Sequence, residues 1–255
     1  MSEIHRPSPR HKPVALFVTC MVDMIYPDVG KATVRLLDHL GVPVSFPAGQ
    51  TCCGQPAFNG GFHDSARPVA RQFLRAFRTA EVIVVPSGSC ASMIRHYYPQ
   101  LFADDAALYP LAVQIASRTW ELSEYLVDGL GIDDLGITRP PVRVGFHDAC
   151  HGLRLSGLRE QSRRLVANVG GVQVVDLPNA DACCGFGGLF SVKMPAISAA
   201  MLKDKLEGIA AIDLLLTGDC GCIAQIDGGL RRISADDPRR VPVQHIAEFI
   251  ADGLG

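Results

Sequence analysis

The chain has 255 residues, 48% of them hydrophobic and 20% charged, with a formal net charge of -2, a composition that excludes a disordered chain. The near-neutral balance offers no basic face for nucleic acid, and no apolar run approaches the roughly 18 residues of a membrane span. The length suffices for one large domain or two of ordinary size.

At the start, Arg6, Arg10, His11 and Lys12 precede a short apolar stretch that runs into Asp23. No small-residue cleavage site follows, and Thr19 before Cys20 does not suit lipoprotein processing, so residues 1–12 read as a polar tail rather than a signal peptide. The expected compartment is the reducing cytoplasm, where nine cysteines serve metal binding or redox chemistry more readily than structural disulfides.

From there, short apolar runs alternate with segments of helical period. The first half predicts strands over Val14–Thr19, Val42–Phe46 and Val82–Val85, with helices near Gly30–Leu40 and Asp64–Arg78. Leu111–Leu135 reads as additional helix, and Ile137–Pro141, with its two prolines, as a linker. The second half predicts strands over Val142–Phe146, Val172–Leu177 and Ala211–Leu216, with helices near Leu158–Val169 and Pro195–Glu207. Alternation of this kind predicts an α/β fold of two tandem parallel-sheet units, over 13–110 and 142–255, joined by a helical connection and linker over 111–141.

The two units are copies of one another. Cys20, Cys52, Cys53 and Cys90 match Cys150, Cys183, Cys184 and Cys222 at offsets of 130, 131, 131 and 132 residues. Thr51–Gly54 matches Ala182–Gly185, and Ser87–Cys90 aligns with Asp219–Cys222, where Cys220 adds a fifth thiol to the second set. Each cysteine falls a few residues beyond the carboxyl end of a predicted strand, the edge at which open α/β sheets bind ligands.

Paired sets with matched spacing argue against nine unrelated buried thiols, and neither the Cys-x-x-Cys of a redox pair nor the paired knuckles of structural zinc are present. Adjacent cysteines diverge, which suits separate corners of an iron–sulfur cluster better than one small ion. Zinc bound by a non-redox scaffold stays open as the alternative. Gly54 and Gly185 follow the two pairs, with Gly187 and Gly188 close behind. Their backbone can approach a cluster and donate N–H groups to its sulfur. His147, Asp148 and His151 flank Cys150, and His63 follows the first Cys-Cys-Gly segment; each histidine is a candidate ligand or a local hydrogen-bonding group. Gln55 and Asn59 read as loop polar groups, and Lys193 as a candidate positive charge near the site. No G-x-G-x-x-G follows a strand, so flavin or nicotinamide binding is not expected.

On the segments Leu16–Asp23, Gly49–Pro56, Pro86–Cys90, Cys183–Gly188 and Gly218–Cys222, the chain resembles the cysteine-rich CCG-domain family from about Val14 to Phe249. Members of that family include the heterodisulfide reductase B subunit and the iron–sulfur subunit of glycolate oxidase. The resemblance is closest to its lactate-utilization members. It implies two CCG domains holding up to two clusters, of 4Fe-4S type, and a part in oxidising L-lactate to pyruvate. Two co-encoded lactate-utilization partners are implied, one of them with ferredoxin-type clusters. In heterodisulfide reductase five thiolates ligate an unusual cluster and the motif ends in Cys-x-x-Cys. Here Ser87 and Asp219 stand at the penultimate position, which leaves four thiolates in the first set and five in the second. A cluster-based thiol or disulfide reductase is therefore a further alternative, and the second site is expected to hold its cluster more firmly.

Overall fold

The computed structural model describes residues 6–254. Eight short strands form two parallel sheets of four. The first contains β1 (Val14–Leu16), β2 (Val44–Ser45), β3 (Val82–Val85) and β4 (Thr119–Glu121) in the order β2-β1-β3-β4. The second contains β5 (Thr138–Phe146), β6 (Gly170–Val174), β7 (Leu214–Thr217) and β8 (Val243–His245) in the order β6-β5-β7-β8. The duplication seen in the cysteines therefore extends to the topology, with every neighbouring pair parallel. All four residues of β3 are buried, as expected of a parallel sheet covered by helices on both faces.

Three expectations from sequence change. The segment Ile137–Pro141 is not a free linker: Thr138 already pairs with Gly170, and β5 runs on through a register irregularity before Val142. Leu111–Leu135 is not continuous helix, because the helix Tyr109–Arg118 gives way to β4. A three-residue strand between helices carries too little period-two alternation to register in a sequence pattern. The tail is also anchored where it is described. Residues 1–5 lie outside the described residues, but Arg6 stacks over Trp120, 3.4 Å from the ring centroid, and pairs with buried Glu124 alongside Arg95. A buried carboxylate requires such partners.

Each fourth strand leads into a capping box. After β4, the Glu121 carboxylate accepts from the Ser123 and Glu124 N–H groups; after β8, His245 accepts from the Ala247 N–H at 3.1 Å. His245 is fully buried near Asp219, and burial lowers its pKa to about 4. Below about pH 6.5 the unfolded chain binds a proton at this residue that the folded chain refuses until about pH 4. Stability should therefore fall as the pH drops through that window, by on the order of 3 kcal/mol from this group. His245→Asn keeps an acceptor at the cap, so urea unfolding of the metal-free variant is expected to lose less stability than wild type between pH 6.5 and pH 4. Equal losses in the two proteins would contradict this.

The two halves share a core. Val22, Leu36 and Leu37 of the first half belong to one buried cluster with Phe146, Phe249 and Ile250 of the second, and the helix Pro27–His39 packs on the helix Ile246–Ala251. One further cluster fills the interior of each half. Hydrogen bonds cross the seam as well: the Gly88 N–H donates to the Gly218 carbonyl at 3.3 Å, and Ser92 Oγ to the His151 carbonyl at 3.1 Å. A seam this apolar holds the halves in fixed register. Among the described residues, no helix is long and apolar enough to cross a membrane.

Candidate metal centre

Because all strands of a sheet run the same way, the loops that leave their carboxyl ends emerge together. Cys20 follows β1, Cys52 and Cys53 follow β2, and Cys90 follows β3; Cys150, Cys183–Cys184 and Cys222 repeat the arrangement after β5, β6 and β7. The halves face each other across the seam, so both sets, together with Cys220, line one cavity of about 310 Å³. All nine cysteines are free thiols.

In the first set, the sulfurs of Cys20 and Cys52 lie 3.7 Å apart and those of Cys53 and Cys90 3.3 Å apart. Two thiolates bound to one tetrahedral ion with bonds near 2.3 Å sit about 3.8 Å apart, so each pair can share a metal. The adjacent cysteines thus belong to different pairs. The Gly54 N–H points at Cys52 Sγ and the Gly185 N–H at Cys183 Sγ, both at 3.4 Å. Hydrogen bonds from the Cys20 and Cys53 thiols, then from Gly54, hold Cys52 far below the usual thiol range, whereas its bond to Cys52 and burial push Cys20 up. Cys183 is lowered in the same way by Cys150, Cys184 and Gly185, and Cys150 is raised. In each set the hydrogen bonds therefore favour ionisation of the same member of the pair, Cys52 or Cys183, in the sense that metal binding requires.

The two Cys-Cys-Gly turns need glycine for unequal reasons. Gly54 has φ +83°, and a Cβ there would meet only ordinary contacts, the nearest the Ala66 carbonyl oxygen at 3.5 Å, whereas a Cβ on Gly185, at φ +85°, would lie 2.6 Å from the Ser198 carbonyl oxygen. Ser198 Oγ also donates to the Gly185 carbonyl at 2.8 Å and is itself held by Gln225. The first turn is tied down by Tyr98, whose hydroxyl donates to the Cys53 carbonyl at 2.9 Å.

Several residues singled out by sequence take different places. Gln55, Asn59, His151, Gly187 and Gly188 line the cavity, and His151 Nδ1 lies 3.6 Å from Cys150 Sγ. His63 instead stacks on Phe58, and Lys193 sits over the Phe62 ring, 4.2 Å from its centroid. Cys220 packs in the shared core with Val22, Ile246 and Ala247, whereas Cys184 and Cys222 belong to the second half's own core. Asp148, buried beside Cys150's loop, pairs with Arg163 at 2.6 Å and with Arg159.

His147 turns inward, and its ring lies with Cys184 and Cys222 so that the three ligand atoms are within 4.8 Å of one another. Burial, then the charge of Lys205, holds its pKa down to about 3. Sequence reasoning missed the cross-seam role of Ser87 and Asp219. The Asp219 carboxylate accepts from Ser87 Oγ at 3.1 Å and the Ser89 N–H at 2.9 Å, and so bolts the two cysteine loops together.

The donor set suits a metal or iron–sulfur centre: grouped thiols with backbone N–H groups aimed at sulfur. Comparison with known proteins agrees. The cysteine-rich (CCG) domain model matches residues 14–95 and again 144–227, and the chain belongs to that family. It is 43% identical over 243 residues to Lactate utilization protein A 2 of Bacillus cereus (strain AH820), covering 94% of this chain and 98% of that one. It is 45% identical over 239 residues to Lactate utilization protein A of Geobacillus thermodenitrificans (strain NG80-2), covering 93% and 98%. A crystal structure of a hypothetical protein from Helicobacter pylori superposes with a TM-score of 0.61 at 10% identity, over 100% of this chain and 52% of that one; that likeness concerns the fold alone.

Proposed function

We propose that this chain is the iron–sulfur electron-transfer subunit of a cytoplasmic complex that oxidises L-lactate to pyruvate. Cys20, Cys52, Cys53 and Cys90 hold one cluster, and Cys150, Cys183, Cys184 and Cys222, with Cys220, hold a second. The units over 13–110 and 142–255 carry one cluster each, and the segment 111–141 joins them. Bound there, the clusters supply one-electron redox chemistry at thiolate-ligated iron. The chain's own groups set its conditions: the Gly54 and Gly185 N–H groups stabilise negative sulfur, and the Ser87–Asp219 bridge fixes the distance between the sets.

The observation that carries this reading is the convergence of both thiol sets on one cavity. A role in lactate oxidation draws support from the relatives' names. Their letter A points to further lactate utilization proteins, and the partners proposed are two co-encoded proteins, one with ferredoxin-type clusters. Direct binding of lactate is disfavoured because the cavity lining contains no lysine or arginine, the groups best suited to clamp a carboxylate.

The test uses the chain copurified anaerobically with its co-encoded partners. Adding L-lactate should reduce clusters in this chain, seen as bleaching of its visible absorption, while the chain alone should not oxidise lactate with an artificial acceptor. Lactate turnover by the isolated chain would overturn the electron-transfer assignment. The alternative of a cluster-based disulfide reductase gains from one feature: Pro56, Phe186 and Phe190 give the shared cavity an apolar wall. Reduction of a disulfide substrate by the isolated, reduced chain would favour it.

A further inference from the structure

The two halves differ most sharply beneath their cysteines. Phe17 in the first half corresponds to His147 in the second, at the same offset of 130 residues that relates Cys20 to Cys150. Phe17 sits edge-on to Phe73, with ring centroids 4.8 Å apart, and to Phe77, wholly inside the apolar core. The residue aligned with Phe73 at the offset of the surrounding helices is Lys205, so an aromatic pair in one half is replaced by a buried imidazole and a buried ammonium in the other.

Lys205 explains itself. Its Nζ donates to the carbonyls of Asn179 and Ala180. His147 does not, because it is 2% exposed and neither ring nitrogen has a hydrogen-bond partner. Buried polar atoms in native proteins are partnered by protein, water or an ion. At ligand distance the ring faces the sulfurs of Cys184 and Cys222. His147 approaches these from behind: it lines a small secondary cleft with Phe146 and Asp148 and not the shared cavity. A side chain so placed cannot serve a substrate in the cavity, but it can ligate a metal held by the two buried thiols.

We propose that the second site is a mixed nitrogen–sulfur centre in which the His147 imidazole and the Cys184 and Cys222 thiolates ligate one metal ion, while the first site is ligated by sulfur alone. This rests on the metal-binding part of the proposed function and not on the metal being iron. His147 stands where the first half has Phe17, so the imidazole is added to the thiols of the second set rather than replacing one of them, and the two centres are inequivalent in their ligands.

The test is made on the full chain with two probes. In the first, the chain is freed of metal anaerobically and titrated with Co2+. His147→Phe, which installs the residue the first half carries, should weaken one class of site at least about tenfold and leave the other unchanged. His151→Phe, which removes the cavity-facing imidazole, should alter neither class by as much. In the second, iron-loaded chain carrying 15N-histidine is reduced and examined by pulsed EPR. A strongly coupled histidine nitrogen should be present in wild type and in His151→Phe, and absent in both His147→Phe and His147→Gln. The Gln variant guards against a packing effect of Phe. Cobalt binding unchanged in His147→Phe, no coupled histidine nitrogen in wild type, or loss of that coupling in His151→Phe alone would each overturn the proposal. If iron never loads, the iron–sulfur reading fails while the cobalt titration still decides the role of His147.

Discussion

Cys184→Ser is expected to empty the second site while leaving the first loaded, and Cys53→Ser to do the reverse. Both residues are buried, at 3% and 2% exposure. Each is the partner of a terminal cysteine, Cys53 at 3.3 Å from Cys90 and Cys184 within 4.8 Å of Cys222. A serine hydroxyl at either place is a poor ligand for a soft metal and stays protonated where a thiol would ionise. Iron and sulfide should therefore fall to about half in each single variant and to near zero in the double variant, since each half folds its own set of cysteines. Lactate-dependent reduction in the complex should be abolished by either change if electrons pass through both centres. Undiminished iron in both single variants would contradict the assignment.

Gly185→Ala is expected to be the most damaging conservative change outside the cysteines. Alanine at φ +85° costs about 1–2 kcal/mol, and its Cβ would meet the Ser198 carbonyl oxygen at 2.6 Å, so the backbone that aims the Gly185 N–H at Cys183 must move. A loss of at least about 3 kcal/mol is expected in the metal-free chain, with impaired loading of the second site. Gly54→Ala has the same left-handed conformation but no atom closer than 3.5 Å to its Cβ, and should cost only about 1–2 kcal/mol. Anaerobic thermal unfolding of the two variants measures the difference, and equal losses would show that the Ser198 contact has no energetic weight.

The repeat was legible because the chemistry that matters is carried by a rare residue type at near-constant spacing. Apolar runs such as Val82–Val85 were equally plain, since a buried parallel strand shows as an unbroken greasy segment. The fourth strands β4 and β8 escaped because three residues are too few to declare a period. The start of the third strand of the second half was also misplaced: Ala211 adopts φ 57°, so the backbone turns there and β7 begins only at Leu214.

Within the site, the sequence pattern identified the thiols and the glycine turns but not their meeting. That both sets line one cavity follows from the apolar seam of Val22, Leu36, Phe249 and Ile250, and packing between copies of a repeat leaves no periodic trace. His147 and His151 looked alike as neighbours of Cys150. They part because β5 ends at Phe146, after which His147 turns into the core and His151 turns to the cavity. The fifth thiol, Cys220, shows the same limitation, since counting placed it with the second set but could not show that it lines the shared cavity while also packing into the core between the halves.

Iron and acid-labile sulfide analysis of the anaerobically purified full chain, joined to EPR of its reduced form, tests the central claim most directly. The expected result is iron and sulfide in comparable amounts, with two reducible centres whose spins interact because both face one cavity. Zinc in place of iron, with no reducible centre, would contradict it.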